Sequence, residues 1–307
     1  MITVNGFKPK IENFGNGESN LTLPFLDDLD SPIMNFKIVW SYKNDLEIWS
    51  IKQIESILGH YLEKNFGFQG TSIQCTLNYM PYERMDRWDE KSRNAYSLQS
   101  LVSILPKFWT YIIIEPHSKA TDYMFKMFDI KHKMIYTSFE TLKDYVATKD
   151  NYKVVFPDKG AWSRYGEMYQ EDPVLSSKNY LIGEKERDFN THKITNYSYT
   201  EHVVNDEQFE LEHKSIFSKK NSKPDEFIIV DDICSYGNTF IKLSDDIHKR
   251  FPEAKITLII THAESVMFND KLMKSNINKF IFTNSILPDM NYLWKKYTVK
   301  VINNKKE

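Results

Sequence analysis

Short, continuous apolar runs alternate along this chain with segments whose apolar residues recur at helical spacing. That alternation restricts the fold more than any other feature of the sequence. "NFKIVWSY" (35–42) precedes "LEIWSIKQIESILGHYL" (46–62), where Leu46, Ile48, Ile51, Ile54, Leu58 and Leu62 share one helical face. "SIQCTLNYM" (72–80), a polar loop, a short helical segment near "SLQSLVSIL" (97–105), "YIIIEP" (111–116) and "TLKDYVA" (141–147) continue the series. The second half repeats it with "YKVVFPD" (152–158), "AWSRYGEMYQ" (161–170), "NYLIGE" (179–184), "EFIIVDD" (226–232), a helix from about Thr239 to Arg250, "KITLIITHAE" (255–264), "KFIFTNSI" (279–286) and "YTVKVIN" (297–303). Strands without polar alternation are covered on both faces, as in a parallel sheet between helical layers. The layout therefore predicts an α/β chain of two domains, 1–148 and 149–307, each a mostly parallel sheet flanked by helices. The polar stretch 196–226 is expected to mix strand pieces with surface loop.

Composition narrows the class. With 41% hydrophobic and 14% aromatic residues over 307 positions, the chain carries ample material for a core. A formal net charge of −2 offers no basic excess for nucleic acid. Cys75 and Cys234 both fall in strand contexts, which suggests a reducing compartment and no disulfide framework. "MITVNGFKPK" lacks the apolar centre of a signal peptide, and no apolar run approaches the roughly 18–20 residues of a membrane helix. The expectation is a soluble, cytoplasmic protein with no nucleic-acid or membrane partner.

In open α/β sheets, ligands collect beyond the carboxyl ends of the strands. Those ends carry Glu115-Pro116-His117, Asp158-Lys159-Gly160, Lys185 with Arg187, and Asp231-Asp232. One charged strand end is an ordinary solvated edge, whereas such a succession points to a phosphate or metal site. Asp231 and Asp232 are short carboxylates that suit a vicinal diol, because both hydroxyls donate; a helix cap plus a solvated acid is the alternative. Gly237 and Thr239 stand at a helix start, where aligned dipoles favour an anion, although capping alone also explains Thr239. Arg84 and Arg87 in "YERMDR" offer planar forks for phosphate, or salt bridges to Asp86 or Glu83. Lys185 and Arg187, one residue apart, project the same way from an extended segment.

"NYMPYERMDR", "IIIEPHS", "VVFPDKG", "GEKERDFNTHKI" and "IIVDDICSYGNTF" occur in the order found in ribose-phosphate pyrophosphokinases, the PRPP synthetases, and "NFGNGES" resembles that family's adenine loop. The resemblance spans roughly residues 12 to 303. It implies two phosphoribosyltransferase-like domains with ATP and a sugar phosphate at their interface. It also implies Mg²⁺-dependent transfer of the β,γ-diphosphate of ATP to the 1-hydroxyl of ribose 5-phosphate. Carried over by motif, Arg84, Asp86 and Arg87 belong to the ATP site, with Phe14, Asn16 and Glu18 around adenine. His117 and Asp158 are associated with Mg²⁺. Lys185 and Arg187 lie on a flap over the transferring diphosphate, with His117 and these two as the catalytic set. Asp231, Asp232, Ser235, Tyr236, Gly237, Asn238 and Thr239 hold ribose and its phosphate. The adenine loop is delivered by a neighbouring subunit, which implies a homodimer or larger assembly.

The departures concern the acceptor. The family loop has an acid where this chain has Ser235, a small residue at Tyr236, and Gly or a basic residue at Asn238. The TG that often follows the flap reads Thr191-His192. Retained catalytic positions with altered acceptor positions favour ADP-ribose, a 5-diphosphate ester whose product would serve NAD⁺ resynthesis. Ribose 5-phosphate is the alternative. An inactive regulatory subunit is opposed by the retained Lys185, Arg187, His117 and Asp158, and a phosphoribosyltransferase by the ATP-type motifs of the first half.

Overall fold

Each apolar run becomes a strand, and each helical-period segment carries the chain back to start the next. The computed structural model describes residues 1–88, 94–187, 194–202, 223–286 and 297–300, with backbone alone at 185–187, 194–202 and most of 297–300. The chain forms two compact units, one containing Met1–Ile135 and the other within Tyr136–Ile302.

In the first unit, β1 (Ile2–Val4) is followed by a hairpin of β2 (Lys10–Asn13) and β3 (Ser19–Thr22). Then come β4 (Asn35–Trp40), α1 (Leu46–Phe66), β5 (Ser72–Leu77), α2 (Ser97–Ile104), β6 (Thr110–Ile114), α3 (Lys119–Met127) and β7 (His132–Ile135). The sheet order is β1-β4-β5-β6-β7, with β1 antiparallel and the rest parallel. On α1 the buried stripe is Ile51, Ile54, Leu58 and Leu62; Leu46, the first helical residue, is 77% exposed and does not join it. Gly67 ends α1 at φ 53°, the left-handed cap that leaves its N–H bonded to the Glu63 and Leu62 carbonyls.

The second unit comprises α4 (Thr137–Val146), β8 (Tyr152–Phe156), α5 (Lys159–Glu171), β9 (Tyr180–Arg187), β10 (Ile194–His202) and β11 (Glu226–Cys234). It continues with α6 (Asn238–Arg250), β12 (Lys255–Ala263), α7 (Asp270–Met273), β13 (Lys279–Thr283) and β14 (Tyr297–Lys300). Its sheet runs β10-β9-β8-β11-β12-β13-β14, and only β10 is antiparallel. Alternate residues of β11 serve opposite layers: Phe227 and Ile229 pack with Phe240, Leu243 and Ile247 of α6, while Ile228 and Val230 pack with α4 and α5. Both faces of the strand are thus buried, the reason its sequence is continuously apolar.

One boundary differs from the sequence expectation. The division falls after Ile135, not near 148, because Phe139, Leu142 and Val146 of α4 join the core of the second sheet. The last strand, within the second domain as expected, pairs in parallel with β13. Of the polar stretch 196–226, β10 takes the start and β11 the end; 203–222 lie outside the described residues. Cys75 and Cys234 are buried free thiols in strands, and burial pushes both upward in pKa. Among the described residues no helix is long and apolar enough to cross a membrane.

The second sheet positions the site. From β8 the chain steps outward to β9 on one side, and from β11 it steps through β12 and β13 to β14 on the other. Strand order therefore reverses between β8 and β11, and such a reversal opens a crevice at the carboxyl ends.

Candidate active site

Asp158 follows β8, and Asp231 and Asp232 lie near the end of β11, so the acidic residues gather where the strand order reverses. Between them stands Arg164 of α5, whose Nη1 donates to Asp231 Oδ1 at 3.0 Å and lies 3.1 Å from Asp232 Oδ1. The Arg164, Asp231 and Asp232 side chains are 4%, 13% and 2% exposed. Burial, then repulsion from Asp232, push the Asp231 carboxyl well above the usual carboxylate range, against the pull of Arg164. One guanidinium thus faces two nearby carboxylates. The cluster is therefore suited to hydroxyl donors or a cation. The backbone is held as well: Ser138 Oγ at the start of α4 donates to the Asp231 carbonyl at 2.8 Å.

Beyond β11, Ser235 is half-buried, Tyr236 is 63% exposed, and Asn238 is exposed. Gly237 caps α6 at φ 75°, and a Cβ there would sit 2.8 Å from Leu272 Cδ1, so both conformation and space demand glycine. The sequence left capping open for Thr239; the structure puts Gly237 at the cap and Thr239 one residue inside the helix. No side chain caps α6, so its first turn is oriented to receive an anion, with Asn269 Nδ2 anchoring the Tyr236 carbonyl at 3.2 Å.

Asp158 is the extended N-cap of α5 and accepts from Ala161 N–H at 2.9 Å, so part of its carboxylate has a structural task. Among the described residues no three His, Cys, Asp or Glu side chains form an all-protein metal cage. Magnesium does not need one: it takes one or two carboxylates and completes its shell with phosphate oxygens and water. The acidic cluster beside Asp158 fits such a cation.

In the first unit, the "YERMDR" loop after β5 meets the turn after β6. Glu83, fully buried, accepts the His117 N–H at 3.0 Å, and Asp86 accepts from Ser118 Oγ at 2.7 Å. Arg84 is exposed, and Arg87, 89% exposed, touches Asp86 only at 3.9 Å. Phe14, 47% exposed, lies with Asn16 and Glu18 at the tip of the β2–β3 hairpin. Asn16 and Glu18 bond each other, Nδ2 to Oε2 at 2.9 Å and Oδ1 from the Glu18 N–H at 3.1 Å. Lys185 and Arg187 lie in β9, opposite Tyr197 and Ile194 of β10; their side chains, and Thr191 and His192 altogether, lie outside the described residues.

Sequence reading passed over Arg164, Ser118 and the burial of Glu83. A signal existed for the arginine. Ala161, Tyr165 and Tyr169 define the buried face of α5, and position 164 belongs to it, so a charged residue there needed an internal partner.

No protein-family model matches the chain. It is 24% identical over 231 residues to the ribose-phosphate pyrophosphokinase of Sulfurisphaera tokodaii, spanning 74% of this chain and 70% of that one. The ribose-phosphate pyrophosphokinase of Sulfolobus acidocaldarius gives 24% over 230 residues with the same shares. In fold, the chain resembles the phosphoribosylpyrophosphate synthetase of Mycobacterium smegmatis with a TM-score of 0.61 and 16% identity, covering 96% of this chain and 86% of that one. The chain is thus similar in sequence to ribose-phosphate pyrophosphokinases over 74% of its length and shares the fold of a phosphoribosylpyrophosphate synthetase.

Proposed function

We propose that the protein transfers the β,γ-diphosphate of ATP to the 1-hydroxyl of ribose 5-phosphate. The observation that carries this reading is the Arg164–Asp231–Asp232 cluster where strand order reverses, beside a helix start without a side-chain cap. Asp231 and Asp232 accept from the 2- and 3-hydroxyls, and the first turn of α6 with Thr239 receives the 5-phosphate. Ser235, Gly237 and Asn238 complete that loop. The sugar is thereby held with its 1-hydroxyl in line with the β-phosphorus. A bond forms from the ribose 1-oxygen to that phosphorus, the α,β-bridging P–O bond breaks, AMP leaves, and the hydroxyl proton passes to solvent. Arg84 and Arg87 hold ATP phosphates, with Asp86 orienting their loop. Asn16 and Glu18 shape the turn that offers Phe14 to adenine. His117 and Asp158 would hold magnesium, which neutralises phosphate charge when bound. Lys185 and Arg187 stabilise charge developing on the diphosphate; positioning and cationic stabilisation do most of the work in such transfers. A homodimer or larger assembly and a cytoplasmic location belong to the same reading.

The relatives' names support ribose 5-phosphate over ADP-ribose, reversing the preference drawn from the loop. One observation keeps ADP-ribose as a second reading: Tyr236, 63% exposed beside Ser235, offers a ring to a longer 5-substituent. The deciding measurement is AMP release from ATP with each sugar in parallel. Ribose 5-phosphate is expected to react with the higher kcat/KM. A clear preference for ADP-ribose would reverse the order, and no release with either would sink both.

A further inference from the structure

We propose that Glu83 is a positioning residue for this transfer: its buried carboxylate fixes the His117 backbone and locks the arginine-bearing loop to the histidine turn. The inference rests on the proposed function, in which that loop and that turn face the ATP phosphates.

β5 and β6 are parallel neighbours, with Leu77 opposite Ile113, so the segments that follow them leave the same edge of the sheet side by side. Arg84 and Met85 are exposed, as a polar surface loop predicts, yet Glu83 between Tyr82 and Arg84 is fully buried. A carboxylate withdrawn from water is unfavourable unless hydrogen bonds replace its hydration. Glu83 Oε2 receives the His117 N–H at 3.0 Å, which supplies part of that replacement. A second tie runs parallel to the first. Ser118 Oγ donates to Asp86 Oδ2 at 2.7 Å while accepting the Ala120 N–H at 3.2 Å, so one hydroxyl caps α3 and holds the loop.

Backbone conformation on both sides of the junction agrees with a fixed geometry. Tyr82 and Glu115 occupy the left-handed region at φ 63° and 52°, which non-glycine residues keep only where their surroundings over-determine them. Each borders one partner of the ties: Tyr82 precedes Glu83, and Glu115 precedes Pro116-His117. The Glu115 N–H is itself bonded to the Ile135 carbonyl at 2.7 Å, so the His117 turn is held from β7 on one side and from Glu83 on the other. Arg84, Arg87 and His117 are therefore carried on one rigid junction, and misplacement of such groups by about 1 Å lowers rates about a hundredfold.

The test combines turnover with backbone exchange in E83Q and E83M, rates being normalised to the folded fraction. In E83M, kcat is expected to fall at least about tenfold while KM for ATP and for ribose 5-phosphate stays within about threefold. The His117 amide should exchange about tenfold faster or more, because its acceptor is gone. E83Q keeps a carbonyl acceptor and should lose no more than about threefold in kcat. Should E83M not fold, E83D draws the carboxylate away from the N–H, and the same loss and faster exchange are expected of it. Wild-type kcat and exchange in E83M, or in E83D where that is the folded variant, would overturn the inference. If the wild-type protein releases no AMP, the functional reading fails on its own. The His117 exchange rate then still decides whether Glu83 holds the turn.

Discussion

β11 carries a buried acid at each end, and the two ends are solved in opposite ways. At its start, Glu226 accepts Lys149 Nζ at 2.6 Å, Thr257 Oγ1 at 2.6 Å and Tyr145 OH at 2.7 Å. Burial alone would raise its pKa, but the Lys149, Thr257 and Tyr145 hydrogen bonds and the Lys149 charge bring it below the ordinary value of 4.5. At the other end, Asp231 and Asp232 share Arg164, and the Asp231 pKa goes up. One end is electrostatically complete. The other crowds two carboxylates onto one guanidinium and perturbs a titration, as functional sites do.

Breaking the Asp231–Asp232 end should have the largest effect. The double variant D231N/D232N, which leaves Arg164 carbonyl acceptors, should lose about a thousandfold in AMP release, equivalent to about 4 kcal/mol of barrier, with a much smaller effect on Tm. A parallel collapse of Tm and activity would mean the pair is structural. Next comes the complete end. E226A strands Lys149, Tyr145 and Thr257 and should cost about 2–4 kcal/mol of stability in urea melts. Turnover per folded molecule should stay within about twofold, and a selective activity loss would end the contrast between the ends.

A smaller effect is expected from R164M, which removes the guanidinium from the acidic pair: a drop in kcat of about 10–30-fold. Because Arg164 lowers the Asp231 pKa, its loss should also move the acidic limb of the pH–rate profile to higher pH. An unmoved limb would separate the arginine from the titration.

The subtlest difference lies in stability against pH. Glu226, depressed in the folded state, adds stability that is present above 4.5 and lost as pH falls through its folded pKa. Asp231, raised in the folded state, adds stability that is full below 3.8 and lost as pH rises through its folded pKa. Asn and Gln mimic the protonated acids, so melts of E226Q and D231N should match wild type in acid and diverge with opposite sign as pH rises. E226Q should be less stable above about 4.5, and D231N more stable once Asp231 ionises. Differences of the same sign in both variants would dissolve the comparison.

Much of the fold was legible because continuous apolar runs admit few arrangements. β8, β11, β12 and β13 fall where "YKVVF", "EFIIVDD", "KITLII" and "KFIFT" predict them. α3 was harder: only Thr121, Met124 and Phe125 of its nine residues are buried, a short stripe in a charged segment. Asp231, Asp232 and Gly237 announced themselves by chemistry and backbone demand. Arg164 did not, because its role depends on an aspartate 67 residues away in sequence. Glu83 resembled a surface acid until the turn at His117, 34 residues on, was folded against it.

The sequence by itself determined the alternation of layers, the acidic strand end, and the glycine that starts α6, since each follows from local hydrophobic pattern or local backbone conformation. Only the tertiary structure decided which charges are buried and what faces them: Arg164 between two aspartates, Lys149 on Glu226, Glu83 beneath His117. The physical reason is that a side chain's hydration and field are set by neighbours from distant parts of the chain. Those neighbours exist only once the strands have been placed in order.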